Sequence, residues 1–201
     1  VFGDWAHPYL TMDFQFEANI VRTLAKIIDR GHLHRGFKPV HWCLDCGSAL
    51  AEAEVEYADK QSSAVDVAFP FVDRADAASR LGCDDGEPID LAIWTTTPWT
   101  LPANRAVALS TDLDYVLLDL GGRRVLVAEA LAEGCAQRFG AERHEIIGRA
   151  KGAALEGLSV MPPFGEAPVP IVLGEHVTTE AGTGCVHTAP AHGLEDFDMG
   201  Q

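Results

Sequence analysis

The sequence predicts a mixed α+β fold: a small β-barrel-like or sandwich-like domain with peripheral helices, preceded by a helical connecting segment. Three observations predict it. Short runs rich in β-branched and aromatic residues recur from Val65 onward, glycine and proline punctuate them, and one early stretch repeats its apolar residues at helical spacing instead. The chain of 201 residues is long enough for one well-buried domain with an attached subdomain, and its 47% apolar and 22% charged residues are those of an ordinary globular protein.

Thr11 and Asp13 can cap a helix, along which Ile20, Val21, Leu24, Ile27 and Ile28 recur until Gly31 stops it. One face of that helix has to be buried against something. His32–Pro39 is basic and turn-like, and Val40-His41-Trp42 reads as a short strand. The later strands are Val65–Val72, Ile89–Thr95, Tyr115–Leu120 and Arg123–Ala128. Gly121-Gly122 marks a hairpin, because both central positions of a primed turn need positive φ. Ala130–Phe139 reads as a helix, and Pro168–Leu173 and Gly184–His187 complete the strands. The first forty residues therefore read differently from the mainly β remainder, with no internal repeat and no low-complexity linker.

Several function classes are disfavoured. No apolar run approaches the ~18 residues of a membrane span, and Val1-Phe2-Gly3-Asp4-Trp5 lacks the basic-then-apolar pattern of a secretory leader, so a cytoplasmic location is expected. Five cysteines without framework spacing argue for reduced thiols or a metal site over a disulfide scaffold. Cys43-Leu44-Asp45-Cys46 is a zinc-knuckle candidate but only half of a tetrahedral site, since Cys83, Cys135 and Cys185 stand singly. His32, His34 and His41 read as surface or packing residues. The formal net charge of −15 argues against autonomous binding of nucleic acid, which rests on clustered Lys and Arg.

Two segments carry chemistry. Trp94–Asn104 holds Thr95, Thr96, Thr97, Thr100 and Asn104, stiffened by Pro98 and Pro102. Hydroxyls held in such a cluster can bind a small polar substrate and position a water without acting as nucleophiles. Gly182–Phe197 combines two glycines that allow close backbone approach, a strand carrying His187, and a turn with His192, Glu195 and Asp196. A carboxylate facing a pocket can hold an ammonium group. Read singly, the first is a Thr-rich strand edge and the second a Gly-bounded strand with solvated turn residues.

Read together, with about eighty residues between them, the two segments resemble the editing domain of isoleucyl-tRNA synthetases. The sibling valyl and leucyl enzymes typically have Arg where Thr97 stands and lack the Val186-His187-Thr188-Ala189-Pro190 string. The resemblance also covers Gly3–Tyr57, where Pro8–Asp13 and Ser48–Tyr57 look like the stretch leading into that domain, which implies a connecting segment over 1–56 and the editing domain over 57–201.

That resemblance implies a β-barrel-like module inserted in a catalytic Rossmann domain, C-terminally truncated in this chain, that hydrolyses valine from mischarged isoleucine tRNA and acts on valyl-adenylate. One methylene is worth only about 1–3 kcal/mol of binding discrimination, the isoleucine–valine pair being the standard instance of a need for a second, hydrolytic site. Thr95, Thr96, Thr97 and Thr100 would hold the terminal adenosine, the ester and the water. Trp94 would form a wall, Asn104 would support the loop, Asp196 would bind the α-ammonium, and His187 would exclude isoleucine by its bulk. Glu195 departs from the Asp often found there, next to the ammonium-binding position. Attack by a positioned water, assisted by the adenosine's own hydroxyl, is the implied mechanism. Editing itself would need no cofactor. Zinc at Cys43 and Cys46 belongs to the full-length enzyme, ATP to the absent catalytic domain, and the tRNA would be held mainly by the rest of the synthetase. Two rivals remain: a metal-dependent hydrolase built from Cys185, His187, His192 and Asp196, and a non-catalytic binding or spacer fragment.

Overall fold

Asp13 begins the first helix as expected, its carboxylate accepting the N–H groups of Gln15 and Phe16 at 3.0 and 3.1 Å. The helix, α1, spans Phe14–Asp29 and ends before Gly31 at φ +74°. The computed structural model describes residues 3–201, which separate into two compact units, 3–38 and Pro39–Gln201. Within the first unit α1 buries no residue, so its stripe of Ile20, Val21, Leu24, Ile27 and Ile28 stays exposed.

The second unit opens with a two-stranded hairpin, β1 (Trp42–Cys43) and β2 (Ser48–Ala49), closed by the Cys43–Cys46 turn. It continues through β3 (Val65–Pro70), α2 (Arg74–Leu81), β4 (Ile89–Thr95), β5 (Ala106–Leu109), β6 (Asp114–Asp119), β7 (Arg124–Ala128) and α3 (Ala132–Arg138). Then come β8 (Glu145–Lys151), α4 (Gly152–Leu155), β9 (Ser159–Val160), β10 (Val169–Leu173), β11 (Val186–Thr188) and α5 (Leu194–Met199). The class is α+β, as the strand-rich pattern predicts. The strands form a five-stranded sheet ordered β3-β4-β7-β6-β8 and a four-stranded one ordered β11-β5-β10-β9. Neither closes on itself, so the barrel-like expectation resolves into two sheets bridged at Phe71–Val160.

The sheets share one apolar core. Phe69, Leu91, Ile93, Tyr115, Leu117 and Leu126 of the first meet Val107, Leu109 and Ile171 of the second. Each such side chain contributes roughly 1.5–3 kcal/mol on burial. The other face of the five-stranded sheet packs Ala92, Val116, Leu118 and Val127 against Ala132, Cys135 and Ala136 of α3. Gly121 and Gly122 adopt φ +81° and +108°, the positive values their hairpin demands. Seven elements were not expected from the sequence: β2, α2, β5, β8, α4, β9 and α5, whose acidic residues read as a turn.

Candidate active site

The threonine loop grows directly out of the core. Alternate residues of β4 bury down to Thr95, which is 8% exposed and points the chain into the loop. Thr95 Oγ1 accepts the N–H of Thr97 at 3.0 Å and lies 3.2 Å from Thr97 Oγ1. Pro98 opens a 3₁₀ turn over Pro98–Ala103, which has no need of the amide proton that proline lacks. Within it Thr100 donates both its N–H (3.0 Å) and its hydroxyl (2.9 Å) to the Thr97 carbonyl. Thr96 is exposed, with its carbonyl accepting the Ser62 hydroxyl at 2.7 Å. Every link is short-range or fixed by proline, so the hydroxyls sit in a stiff frame.

Topology explains why the distant second segment arrives here. The loop runs straight into β5, and β11 pairs antiparallel with β5, placing His187 opposite Val107. The glycines before β11 make that approach feasible. Gly182 (φ +82°) lies against the Trp94 ring, and a Cβ at Gly184 (φ +74°) would overlap Ala128. Three clamps hold this turn. The Arg138 guanidinium donates to the Gly182 carbonyl at 3.0 Å while gripping Asp66 with two bonds of 2.7 and 2.8 Å. Ala128 N–H donates to the Thr183 carbonyl, and the buried Tyr115 hydroxyl donates to that of Gly184 at 2.7 Å.

His187 is 8% exposed and uses both ring nitrogens. Asn104 Nδ2 donates to the Ala106 carbonyl and lies 2.9 Å from His187 Nδ1, while Nε2 lies 2.7 Å from Thr100 Oγ1. These contacts assign the tautomer. An amide N–H facing Nδ1 makes that nitrogen the acceptor, so the proton resides on Nε2 and is donated to Thr100. Thr100 in turn passes its own hydroxyl proton to the Thr97 carbonyl, completing a chain in one sense from Asn104 to the loop. Burial pushes the His187 pKa down, the Asp196 charge opposes this, and His192 adds to the depression. Neutral imidazole is the form the network fits.

Asp196 stands in the first turn of α5. Its Oδ2 accepts the Ala189 N–H at 2.8 Å, fixing the carboxylate beside the end of β11. Its Oδ1 has no protein donor among the described residues, so it retains full acceptor capacity. Thus the structure joins Thr95, Thr97, Thr100, Asn104 and His187 in one network and ties Asp196 to it through Ala189 and the field at His187. Trp94 is half-buried against Gly182, whereas Thr96 and Glu195 face solvent. Sequence reading missed Ser62, Asp66, Tyr115 and Arg138, because nothing local distinguishes these supporting residues from other polar residues.

Among the described residues no three of His, Cys, Asp and Glu converge on a point where a metal ion could sit. Cys185 lies in the core at 2% exposure, and both His187 nitrogens already have partners, so the set required by the hydrolase rival does not assemble. Cys43 and Cys46 differ. The Cys46 N–H donates to Cys43 Sγ at 3.2 Å and lowers the Cys43 pKa, while Cys43 raises that of Cys46, so the Gly47 turn (φ +61°) holds one favoured thiolate beside a thiol.

Comparison with known proteins bears directly on this arrangement. The family described as tRNA synthetases class I (I, L, M and V) matches residues 1–181. The "Isoleucine--tRNA ligase" of Alcanivorax borkumensis is 63% identical over 205 aligned residues, and that of a Shewanella species 57% over 206. Both alignments take in 100% of this chain but 22% of the relative, so the chain spans about a fifth of their length. Among solved structures, the crystal structure of GlLeuRS-CP1 superposes with a TM-score of 0.60 at 16% identity, covering 68% of this chain and 59% of that one. The P. falciparum cytosolic leucyl-tRNA synthetase editing domain gives 0.57 at 11% identity, covering 69% and 64%. At such identities these two speak for the fold alone.

Proposed function

We infer that this chain, which belongs to the class I tRNA synthetases, is the editing portion of an isoleucine-specific member and hydrolyses valine wrongly esterified to isoleucine tRNA. One observation supports the reading: the threonine loop runs into the start of β5 opposite Thr188, and a carboxylate with a free oxygen is held by the next residue, Ala189, so both lie at the same end of β11.

The valyl ester enters with its ammonium on Asp196 Oδ1, a charge-assisted contact strengthened by partial burial. A water held among the Thr95, Thr97 and Thr100 hydroxyls attacks the ester carbonyl carbon, its proton passing to the ribose oxygen. The ester C–O bond then breaks, releasing valine and a free tRNA hydroxyl. Preorganised hydroxyl and amide dipoles stabilise the developing oxyanion without having to reorient. His187 faces the side-chain end and rejects the extra methylene of isoleucine. Its ring cannot swing aside, because Asn104 and Thr100 hold it from both nitrogens. The same groups accept valyl-adenylate, which presents the same ammonium and acyl carbon.

The rest of the synthetase would hold most of the tRNA and use ATP, which fits an acidic chain spanning a fifth of its relatives. Cys43 and Cys46 would give two thiolates to a zinc site completed from outside this chain. No described helix is long and apolar enough to cross a membrane, and a synthetase works with cytoplasmic tRNA. Comparing hydrolysis of valyl and isoleucyl esters of isoleucine tRNA by the full-length synthetase tests the reading. Rapid loss of valine alone is expected, and equal rates for the two esters, or none, would refute it.

A further inference from the structure

The thirty acidic residues are unevenly spaced. The three longest intervals without Asp or Glu are 91–111, 181–194 and 30–44. The first two contain the threonine loop and the strand of His187. The third belongs to no site so far described, yet it carries Arg30, Arg35 and Lys38 together with His32, His34 and His41.

Within the first compact unit, residues 32–38 lie in no helix or sheet and are exposed throughout. None of Arg30, Arg35 and Lys38 takes part in an ion pair among the described residues, although most other arginines of the chain do. Phe37, 84% exposed, lies between Arg35 and Lys38 and offers an aromatic face. Residues 30–38 hold three formal positive charges and no negative one; the remaining residues hold 12 Lys and Arg against 30 Asp and Glu, a net of −18. An acidic protein gains nothing in solubility from gathering unpaired cations on one exposed segment. Such a segment does attract a polyanion, since each phosphate neutralised releases condensed counterions.

We propose that Arg30–Lys38 is a nucleic-acid contact, gripping the sugar-phosphate backbone of the tRNA with Arg30, Arg35 and Lys38 while Phe37 supports a base or sugar face. This rests on the editing assignment only for the identity of the RNA. The contact is sequence-independent, because extended cations read phosphates and not base edges. Its function is to offset locally the repulsion that the acidic remainder exerts on an approaching tRNA.

The test is the salt dependence of tRNA binding by the full-length synthetase. Each lost phosphate contact lowers the slope of log K against log salt by roughly 0.7–0.9. The triple variant Arg30→Gln, Arg35→Gln, Lys38→Gln should therefore lose roughly 2–3 from the slope and bind at least about tenfold more weakly at 0.1 M salt. The charge-retaining variant Arg30→Lys, Arg35→Lys, Lys38→Arg should keep the wild-type slope. An unchanged slope in the glutamine variant overturns the proposal. So does a fall in melting temperature with the slope intact, which would assign the segment to packing against protein. Hydrolysis of valyl-tRNA by the wild type is measured separately, so failure of the editing assignment would show as absent deacylation whatever the slope.

Discussion

Asp196 performs two tasks that substitution can separate. Its Oδ2 holds the Ala189 N–H at 2.8 Å, and its charge is available to an ammonium through Oδ1. Asp196→Asn keeps a carbonyl oxygen for Ala189 and removes only the charge. Asp196→Ala removes both. The Ala189 bond to a carboxylate contributes about 1.5–3 kcal/mol and its neutral amide counterpart about 1, so the alanine variant should lose the larger amount and the asparagine variant only the difference. A hydrogen bond to a charged group contributes about 1.5–3 kcal/mol, so both variants should lose roughly 10- to 150-fold in kcat/KM for valyl-tRNA deacylation. Removing the Asp196 charge pushes the His187 pKa further down, leaving the ring neutral, so the loss is not a titration artefact. Wild-type enzyme given an ester of the α-hydroxy analogue of valine, which lacks the ammonium, should be as slow as Asp196→Asn on valyl-tRNA. An asparagine variant with wild-type deacylation would sink the ammonium assignment.

Other expectations follow from the same network. His187→Ala should admit isoleucyl-tRNA as a substrate, and Asn104→Ala, which frees the ring, should relax specificity in the same direction at a stability cost of about 1–3 kcal/mol; deacylation of both esters measures this. Because the His187 pKa is depressed in the folded state, its contribution to stability is complete above the ordinary value of 6.5 and is lost as pH falls below it. Thermal melts at pH 7.5 and 5 should therefore show a larger drop for wild type than for His187→Gln. Gly184→Ala combines positive φ with overlap at Ala128 and should cost roughly 2–4 kcal/mol, seen in chemical denaturation. Chelation should leave deacylation by the site intact; loss restored by zinc would favour the metal-dependent rival.

Local signals carried the parts of the fold that local chemistry decides. The capping carboxylate of Asp13, the paired glycines at 121 and 122, and the dense β-branched runs of β4 and β7 each state their structure within a few residues. Other elements take their form from tertiary context. β8 begins Glu145-Ile146-Ile147-Gly148-Arg149, half-polar and with a register shift opposite Leu117 and Leu118, so it pairs as an edge strand without an alternating pattern. α5 has three acids in six residues and reads as a solvated turn, yet its first turn is what presents Asp196. At the site, Thr95–Thr100, His187 and Asp196 stood out in the sequence. Their connection did not. The role of Asn104 in setting the His187 tautomer depends on the β5–β11 pairing, which brings together side chains 83 positions apart. Likewise, Arg138 reaches Asp66 and the Gly182 carbonyl only once α3 is packed.

The most direct measurement is a crystal structure of the domain with a non-hydrolysable valyl-adenosine in which an amide replaces the ester. The ammonium should lie on Asp196 Oδ1, the acyl carbon should face the Thr95, Thr97 and Thr100 hydroxyls, and the isopropyl group should rest against an unrotated His187. A ligand seated away from β11, or one whose ammonium points to solvent while His187 swings free of Asn104, would contradict it.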